Sequence, residues 1–342
     1  MSTVTILGAG AMGSALATPM LQAGHDVRLW GTFLDDHLID SIKAGSPHPR
    51  TNVKVPDGVA SFYHGELEQA LAGVEVAIIA VSSVGVADIA RLAAPYLQDV
   101  QGILITSKGF FPDEQGTIQL LPQTVEAQLR AGGTPFKPVV AIGGPCKANE
   151  VAYGQPTATI FGVEGGASAW ASLAKTKTYR VASTSDRDGL EICAAMKNVF
   201  AIALGVADGL SEVGEQPYHN LKSAIFAQAL AELRMLLSAA GTDPWTALGL
   251  PGAGDLEVTG ISGRNKVYGA RLGKGEKATT ALAEMVALEQ TVEGVDAVRL
   301  AVVFIEQRFS ELLAQMPLLS AIYAVVHGGE SIDRIVEAAL PR

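Results

Sequence analysis

"TVTILGAGAMGSALATPMLQAG" spans residues 3–24. Its first five residues, Thr3–Leu7, are β-branched and apolar without a polar partner face, as in a strand covered on both sides. Gly8, Gly10 and Gly13 follow in a G-x-G-x-x-G pattern. Residues 11–23 then carry helix formers up to Gly24, a C-terminal stop signal. Glycines here permit a tight turn, close approach of a pyrophosphate and close helix–strand packing. The helix start adds unpaired N–H groups and the positive end of its dipole. Gly8, Gly10, Ala11, Met12 and Gly13 are therefore candidates for dinucleotide binding.

Outward from this stretch, short apolar runs alternate with helical ones. Val27–Trp30, Val76–Val81, Ile103–Thr106 and Val139–Ile142 are expected strands, with Thr157–Val163 and Thr178–Ala182 closing the sheet. Residues 66–72 and 84–97 are expected helices between them. This alternation predicts a parallel sheet with helices on both faces. After Asp186 the pattern becomes helical: 187–209, 219–241, 280–287, 294–308, 317–327 and 330–339. The fold class is thus α/β, a Rossmann-type dinucleotide-binding domain (1–185) followed by an all-helical substrate domain (186–342). Two domains also suit a length of 342 residues.

Hydrophobic residues make up 48% and charged residues 18%, which predicts a well-buried globular chain. The net charge of −10 argues against nucleic acid or an anionic membrane as partner, though not against a small anion held by local cations. Cys146 and Cys193 stand far apart, so no disulfide framework is expected and a reducing cytoplasm is the expected location. The six histidines form no zinc spacing, and no metal is expected. No basic segment precedes the first apolar run, and no uncharged stretch reaches the ~20 residues of a membrane span.

An NAD site often carries an acid about 20 residues past the glycine loop. Here Trp30-Gly31-Thr32 has none, but Asp35 and Asp36 follow, and their charge favours NAD over NADP. The bland alternative is that they cap the next helix. Thr106-Ser107-Lys108-Gly109 and Gly143-Gly144-Pro145-Cys146-Lys147-Ala148 each follow a strand, at the edge where open α/β sheets bind ligands. Cys146 has no nearby histidine to activate it.

Lys197 and Asn198 interrupt an apolar run, Ile192–Ala207. A buried ammonium needs a partner or a lowered pKa, unless its stem lies along apolar surface and its amine reaches water. Farther on, Gly252–Thr259 and Gly263–Lys266 gather Thr259, Arg264 and Asn265, donors suited to a phosphate. Asp255 is a poor phosphate ligand and a natural lysine partner.

Together these segments resemble the NAD(P)-dependent glycerol-3-phosphate dehydrogenase family over nearly the whole chain. GAGAMGSALA resembles its dinucleotide loop, TSKG its "TKG" loop, and AAMKNVFAIALGVADGL its catalytic-lysine helix. GGPCKANEVAYGQPTA, GAGDLEVTGISGRNKVYGARLGKG and TVEGVDAV resemble three further segments in family order. The resemblance implies Lys197 as proton-transfer lysine, with Lys108 and Asp255 beside it in catalysis. It implies Gly144, Cys146, Asn198, Thr259, Gly263, Arg264 and Asn265 around the substrate. Lys108, Ala148, Arg264, Thr291 and Glu293 are implied as cofactor contacts. Met12, Cys146, Lys147 and Gly263 depart from residues usual in the family, and Glu212–Asn220 is longer than in many members.

The implied reaction interconverts sn-glycerol 3-phosphate and dihydroxyacetone phosphate, with NAD as cofactor and NADP as the alternative. A related polyol-phosphate or β-hydroxyacid dehydrogenase is the other enzymatic reading. A silent NADH-binding module is the non-enzymatic one, but it would need neither the apolar-helix lysine nor a second anion pocket. A small phosphorylated triose or polyol is the expected partner, and a homodimer is left open.

Overall fold

The uninterrupted apolar runs of the first half pair into one sheet. The computed structural model describes residues 1–166, 168–288 and 290–341. In chain order the elements are β1 (Thr3–Leu7), α1 (Ala11–Gln22), β2 (Asp26–Trp30), α2 (Asp36–Lys43), β3 (Ala60–Phe62), α3 (Leu67–Leu71), β4 (Val76–Ile79), α4 (Val86–Ala93) and β5 (Gly102–Ile105). A two-stranded ribbon, β6 (Phe110–Pro112) and β7 (Ile118–Leu120), comes next. Then follow α5 (Leu121–Ala131), β8 (Val139–Gly143), α6 (Ala148–Ala152), β9 (Thr157–Gly162), α7 (Ser168–Ala174) and β10 (Tyr179–Thr184). Spatial order in the sheet is β10-β9-β8-β5-β4-β1-β2-β3. Six strands run parallel, with Thr3 opposite Asp26 and Val4 opposite Val76. The last two depart from the expected all-parallel pattern, because β9 runs antiparallel to β8 and β10 follows β9. Val4, Ile6, Val27, Leu29, Ile78, Leu104 and Val140 are buried in this core.

The chain forms two compact units, Met1–Lys108 with Leu120–Asp188, and Gly109–Gln119 with Gly189–Arg342. The β6–β7 segment therefore belongs with the later helices, although the sequence pattern assigns all of 1–185 to the first domain. In the second unit Phe110 stacks on Phe304 (centroids 5.0 Å apart), and Gln307 accepts from the Ile118 N–H at 2.9 Å.

The later elements are α8 (Arg187–Val213), α9 (His219–Ala239), α10 (Asp255–Ile261), α11 (Arg264–Gly273), α12 (Ala278–Ala287), α13 (Glu293–Arg308), α14 (Pro317–Val326) and α15 (Asp333–Ala339). α8 is long and apolar enough to cross a membrane, yet 94% of its most apolar window is buried inside the protein. It is the central core helix instead. Its glycines let α11 come close: a Cβ on Gly205 would lie 2.1 Å from the Lys266 carbonyl oxygen, and one on Gly269 would lie 1.9 Å from that of Ile202. Gly209 and Gly273 are equally tight. Gly263–Lys266, a segment of phosphate-suited donors in sequence, forms the N-cap and first turn of α11. Glu232 of α9 is fully buried, and its carboxylate accepts the Leu318 and Leu319 N–H groups at 2.6 and 2.9 Å. These are donors from the first turn of α14, which has no partners of its own for them.

Candidate active site

The glycine loop lies where strand order reverses, between β1 with β2 on one side and β4 with β5 on the other. Gly8 has φ +117°, and a Cβ there would stand 2.7 Å from the Ala80 carbonyl oxygen. At Gly13 a Cβ would stand 1.9 Å from the Gly8 carbonyl oxygen. The loop is thus pressed onto the end of β4, and α1 begins directly above it. Among the described residues no side chain caps α1, so its first-turn N–H groups at Ala11, Met12 and Gly13 remain to be satisfied by an anion or solvent. This cradle, free of Cβ atoms and rich in backbone donors, fits a dinucleotide pyrophosphate.

The same strand-end edge carries two other expected segments. Lys108 Nζ lies 3.5 Å from the Gly144 carbonyl oxygen, and Ser107 Oγ donates to the Val81 carbonyl at 2.5 Å. Cys146 is half-buried with its Sγ 3.7 Å from the Tyr179 hydroxyl. Burial, helped by Cys146, pushes that hydroxyl well above the usual tyrosine range. Ala148 opens α6, which packs against α1.

The two aspartates after β2 do not stand as the sequence reading has them. Asp35 is 6% exposed, and its Oδ2 accepts from the Ala9 N–H (3.3 Å), the Thr32 N–H (3.0 Å) and the Thr32 hydroxyl (2.8 Å). It occupies the N-cap position of α2 without making a cap bond. Asp36 pairs with His64 Nδ1 at 2.7 Å. Asp35 is thus turned toward the glycine loop through Oδ2, and Asp36 toward His64. A residue that sequence reasoning missed lies nearby: exposed Arg50 carries a guanidinium nitrogen 3.6 Å from the Cβ position of Gly10. Arg50 lies in the stretch 45–56, rich in proline and polar residues but carrying no recognisable motif.

In the second unit the lysine question resolves into a pair. Lys197 Nζ lies 2.5 Å from Asp255 Oδ1, with the side chains 12% and 1% exposed. The amine is held by a buried carboxylate rather than left to reach water alone. One turn on, Thr259 donates its hydroxyl back to the Asp255 carbonyl at 2.6 Å. Asn198 and Asn265 are both 6% exposed, and Asn265 Nδ2 donates to Asn198 Oδ1 at 3.0 Å. Asn265 Oδ1 in turn accepts the Gly294 N–H at 2.8 Å, at the start of α13. Glu293 lies 3.5 Å from Asn198 Nδ2 and 3.8 Å from Arg264 Nη2.

Lys197, Asp255 and Thr259 form one linked set, Asn198, Asn265, Glu293 and Arg264 a second, and the consecutive residues Lys197 and Asn198 of α8 bring the two into one cluster. Within it Thr259 and Asn265 spend donors on the protein. The Arg264 side chain is 51% exposed and keeps the most donor capacity, while Gly263 precedes it in extended backbone. Lys266 instead pairs with Asp208 at 3.0 Å. Thr291 lines a cleft of about 460 Å³ with Leu282, Val286, Val292 and Val295.

Residues 3–169 match the NAD-dependent glycerol-3-phosphate dehydrogenase N-terminus, and residues 186–337 match the C-terminus of the same family. The chain is 37% identical to an NADP(+)-dependent glycerol-3-phosphate dehydrogenase of Archaeoglobus fulgidus, over 97% of each chain. It is 33% identical to a glycerol-3-phosphate dehydrogenase [NAD(P)+] of Bacillus pumilus, covering 100% of this chain and 95% of that one. A crystal structure of glycerol-3-phosphate dehydrogenase from Coxiella burnetii superposes with a TM-score of 0.83 at 28% identity, covering 100% of this chain and 99% of that one. A parallel sheet with a glycine loop at its switch point, a helical unit with a carboxylate-paired lysine, and end-to-end similarity agree: the chain belongs to the NAD-dependent glycerol-3-phosphate dehydrogenase family.

Proposed function

We propose that this chain interconverts sn-glycerol 3-phosphate and dihydroxyacetone phosphate with a nicotinamide dinucleotide, NAD or NADP, and that Lys197 moves the proton. The observation that carries the assignment of Lys197 is its 2.5 Å pairing with Asp255 inside an apolar helix. A bound nicotinamide supplies or takes the hydride at C2 of the substrate. In the reducing direction the Lys197 ammonium donates to the C2 oxygen as negative charge develops there. In the oxidising direction the neutral amine accepts the hydroxyl proton. Asp255 holds the amine in one place and compensates its charge in a dry setting.

Arg264 is the primary phosphate ligand in this reading, with Asn265, Thr259, Gly263 and Asn198 around it. Binding the phosphate at a distance from C2 turns remote binding energy into orientation of the carbonyl. Gly8, Gly10, Ala11, Met12, Gly13 and Ala148 would hold the dinucleotide. Lys108 would contact cofactor and substrate, Gly144 and Cys146 the substrate, and Thr291 and Glu293 the cofactor. The chain then divides its labour between a dinucleotide-binding domain (1–185, without the β6–β7 segment) and a substrate domain (186–342, with it).

The test is an initial-rate assay with dihydroxyacetone phosphate, run in parallel with NADH and NADPH, on the wild type and on Lys197→Ala. The variant should fold and bind cofactor but lose at least ~10²-fold in kcat, the scale of a lost general acid–base. Near-normal turnover in it would remove Lys197 from the chemistry. A wild type inactive on this substrate but active on another polyol phosphate would move the substrate assignment.

A further inference from the structure

Ala9, between the first two glycines of the loop, is fully buried and held from both sides. Its N–H donates to Asp35 Oδ2 at 3.3 Å, and its carbonyl lies 2.8 Å from His48 Nε2. His48 is itself fully buried and organises the turn around residues 47–54. Its N–H donates to the Val53 carbonyl at 2.9 Å, its carbonyl accepts the Asn52 N–H at 2.8 Å, and Pro47 bridges Lys54. The Arg50 N–H points at His48 Nδ1 from 3.2 Å. A backbone N–H can only donate, so Nδ1 is the unprotonated nitrogen. Nε2 therefore carries the hydrogen and donates it to the Ala9 carbonyl.

From this geometry we propose that Asp35 and His48 are positioning residues for the cofactor loop, clamping the Ala9 peptide, and that Asp35 does not read the adenosine ribose. The inference rests on the reading of Gly8–Gly13 as the dinucleotide site. Asp35 stands near the place in sequence where a ribose-binding acid is expected, but one of its two carboxylate oxygens, Oδ2, is turned into the protein and takes three donors, the Ala9 N–H among them. Fixing both the N–H and the carbonyl of Ala9 sets the direction of the following N–H groups before ligand arrives. Such preorganisation lowers the ordering cost of binding. Burial holds His48 below the usual histidine range, against the opposing effect of its bond to Ala9, so the neutral tautomer that the clamp needs is the favoured one.

The experiment titrates the full-length chain separately with NADH and NADPH, following nicotinamide fluorescence, and pairs this with turnover at saturating cofactor. Asp35→Ala, which removes the acceptor, should weaken both cofactors by a similar factor, about tenfold, the weight of the one bond to the cofactor loop. The NADH-to-NADPH affinity ratio should stay within about twofold, and kcat should hold, a split that general destabilisation would not produce. His48→Gln, whose amide can still donate to the Ala9 carbonyl, should retain most of the affinity. His48→Leu should lose about tenfold on both. Selective loss of NADH, or gain of NADPH, in Asp35→Ala would assign the carboxylate to the ribose and overturn the clamp. Unchanged affinities in Asp35→Ala would overturn it as well, and that variant decides the question if His48→Leu does not fold. A wild type that binds neither cofactor would overturn the dinucleotide reading itself.

Discussion

Arg264 and Glu293 show how a side chain gains meaning from its neighbour. Arg264 is half exposed at the start of α11, where a lone arginine is usually just solvated. Glu293, 3.8 Å away, restrains the guanidinium at the edge of the Lys197 cluster. Arg264→Ala should raise KM for dihydroxyacetone phosphate by at least ~10-fold while sparing the fold, as expected for a charge-assisted contact. Unchanged KM would take Arg264 out of the phosphate site. Glu293→Gln should raise the same KM by a smaller factor, which steady-state kinetics would resolve. The chemistry of Lys197 was legible in sequence because a cation in an apolar helix demands a partner. That Asp255 supplies it follows from packing 58 residues along the chain, where sequence offers residue type but no distance. The inward turn of the Asp35 carboxylate was hidden for the same reason: its identity was plain, but its partners were not.

Helix contacts in the second unit rest on features with little hydropathy signal. α8 and α11 meet backbone to backbone at Gly205, Gly209, Gly269 and Gly273. Gly205→Ala gains helix propensity but drives its Cβ into the Lys266 carbonyl, so a net loss of about 1–3 kcal/mol is expected in urea unfolding, as for other overpacked sites. A neutral result would mean that α11 can shift aside. Because α11 approaches α8 through glycines, its periodicity is faint and no helix is expected there from the sequence pattern. α5 was hidden differently: Pro122 looks like a breaker but occupies the first turn, where proline is tolerated.

Glu232 gives this layer a pH signature. Burial raises its pKa, against the lowering effect of its bonds from Gln228, Leu318 and Leu319. A carboxyl raised in the folded state contributes stability that is complete below the ordinary glutamate value of about 4.3 and is lost as pH rises through the folded value. Urea midpoints of wild type relative to Glu232→Gln should therefore fall across that window. A constant difference between the two would show that Glu232 does not titrate there.

At the scale of the molecule, alternation of strands and helices made the first unit legible, and the shift after Asp186 announced a helical second one. The path between them was not legible, because the three-residue strands of the ribbon give too short a pattern to reveal long-range pairing. Cofactor binding should appear in global stability. NADH or NADPH at a hundredfold excess over its Kd should stabilise the chain by about 2.7 kcal/mol, measured as a rise in Tm. No shift with either would contradict the glycine loop as a dinucleotide site. The excursion of Gly109–Gln119 has a practical consequence for gene construction. A fragment cut after Asp188 would still encode Phe110, 2% exposed in the whole chain, without the Phe304 ring it stacks on. Chimeras that trade cofactor modules between relatives must therefore splice at three places, leaving residues 109–119 with the recipient's helices.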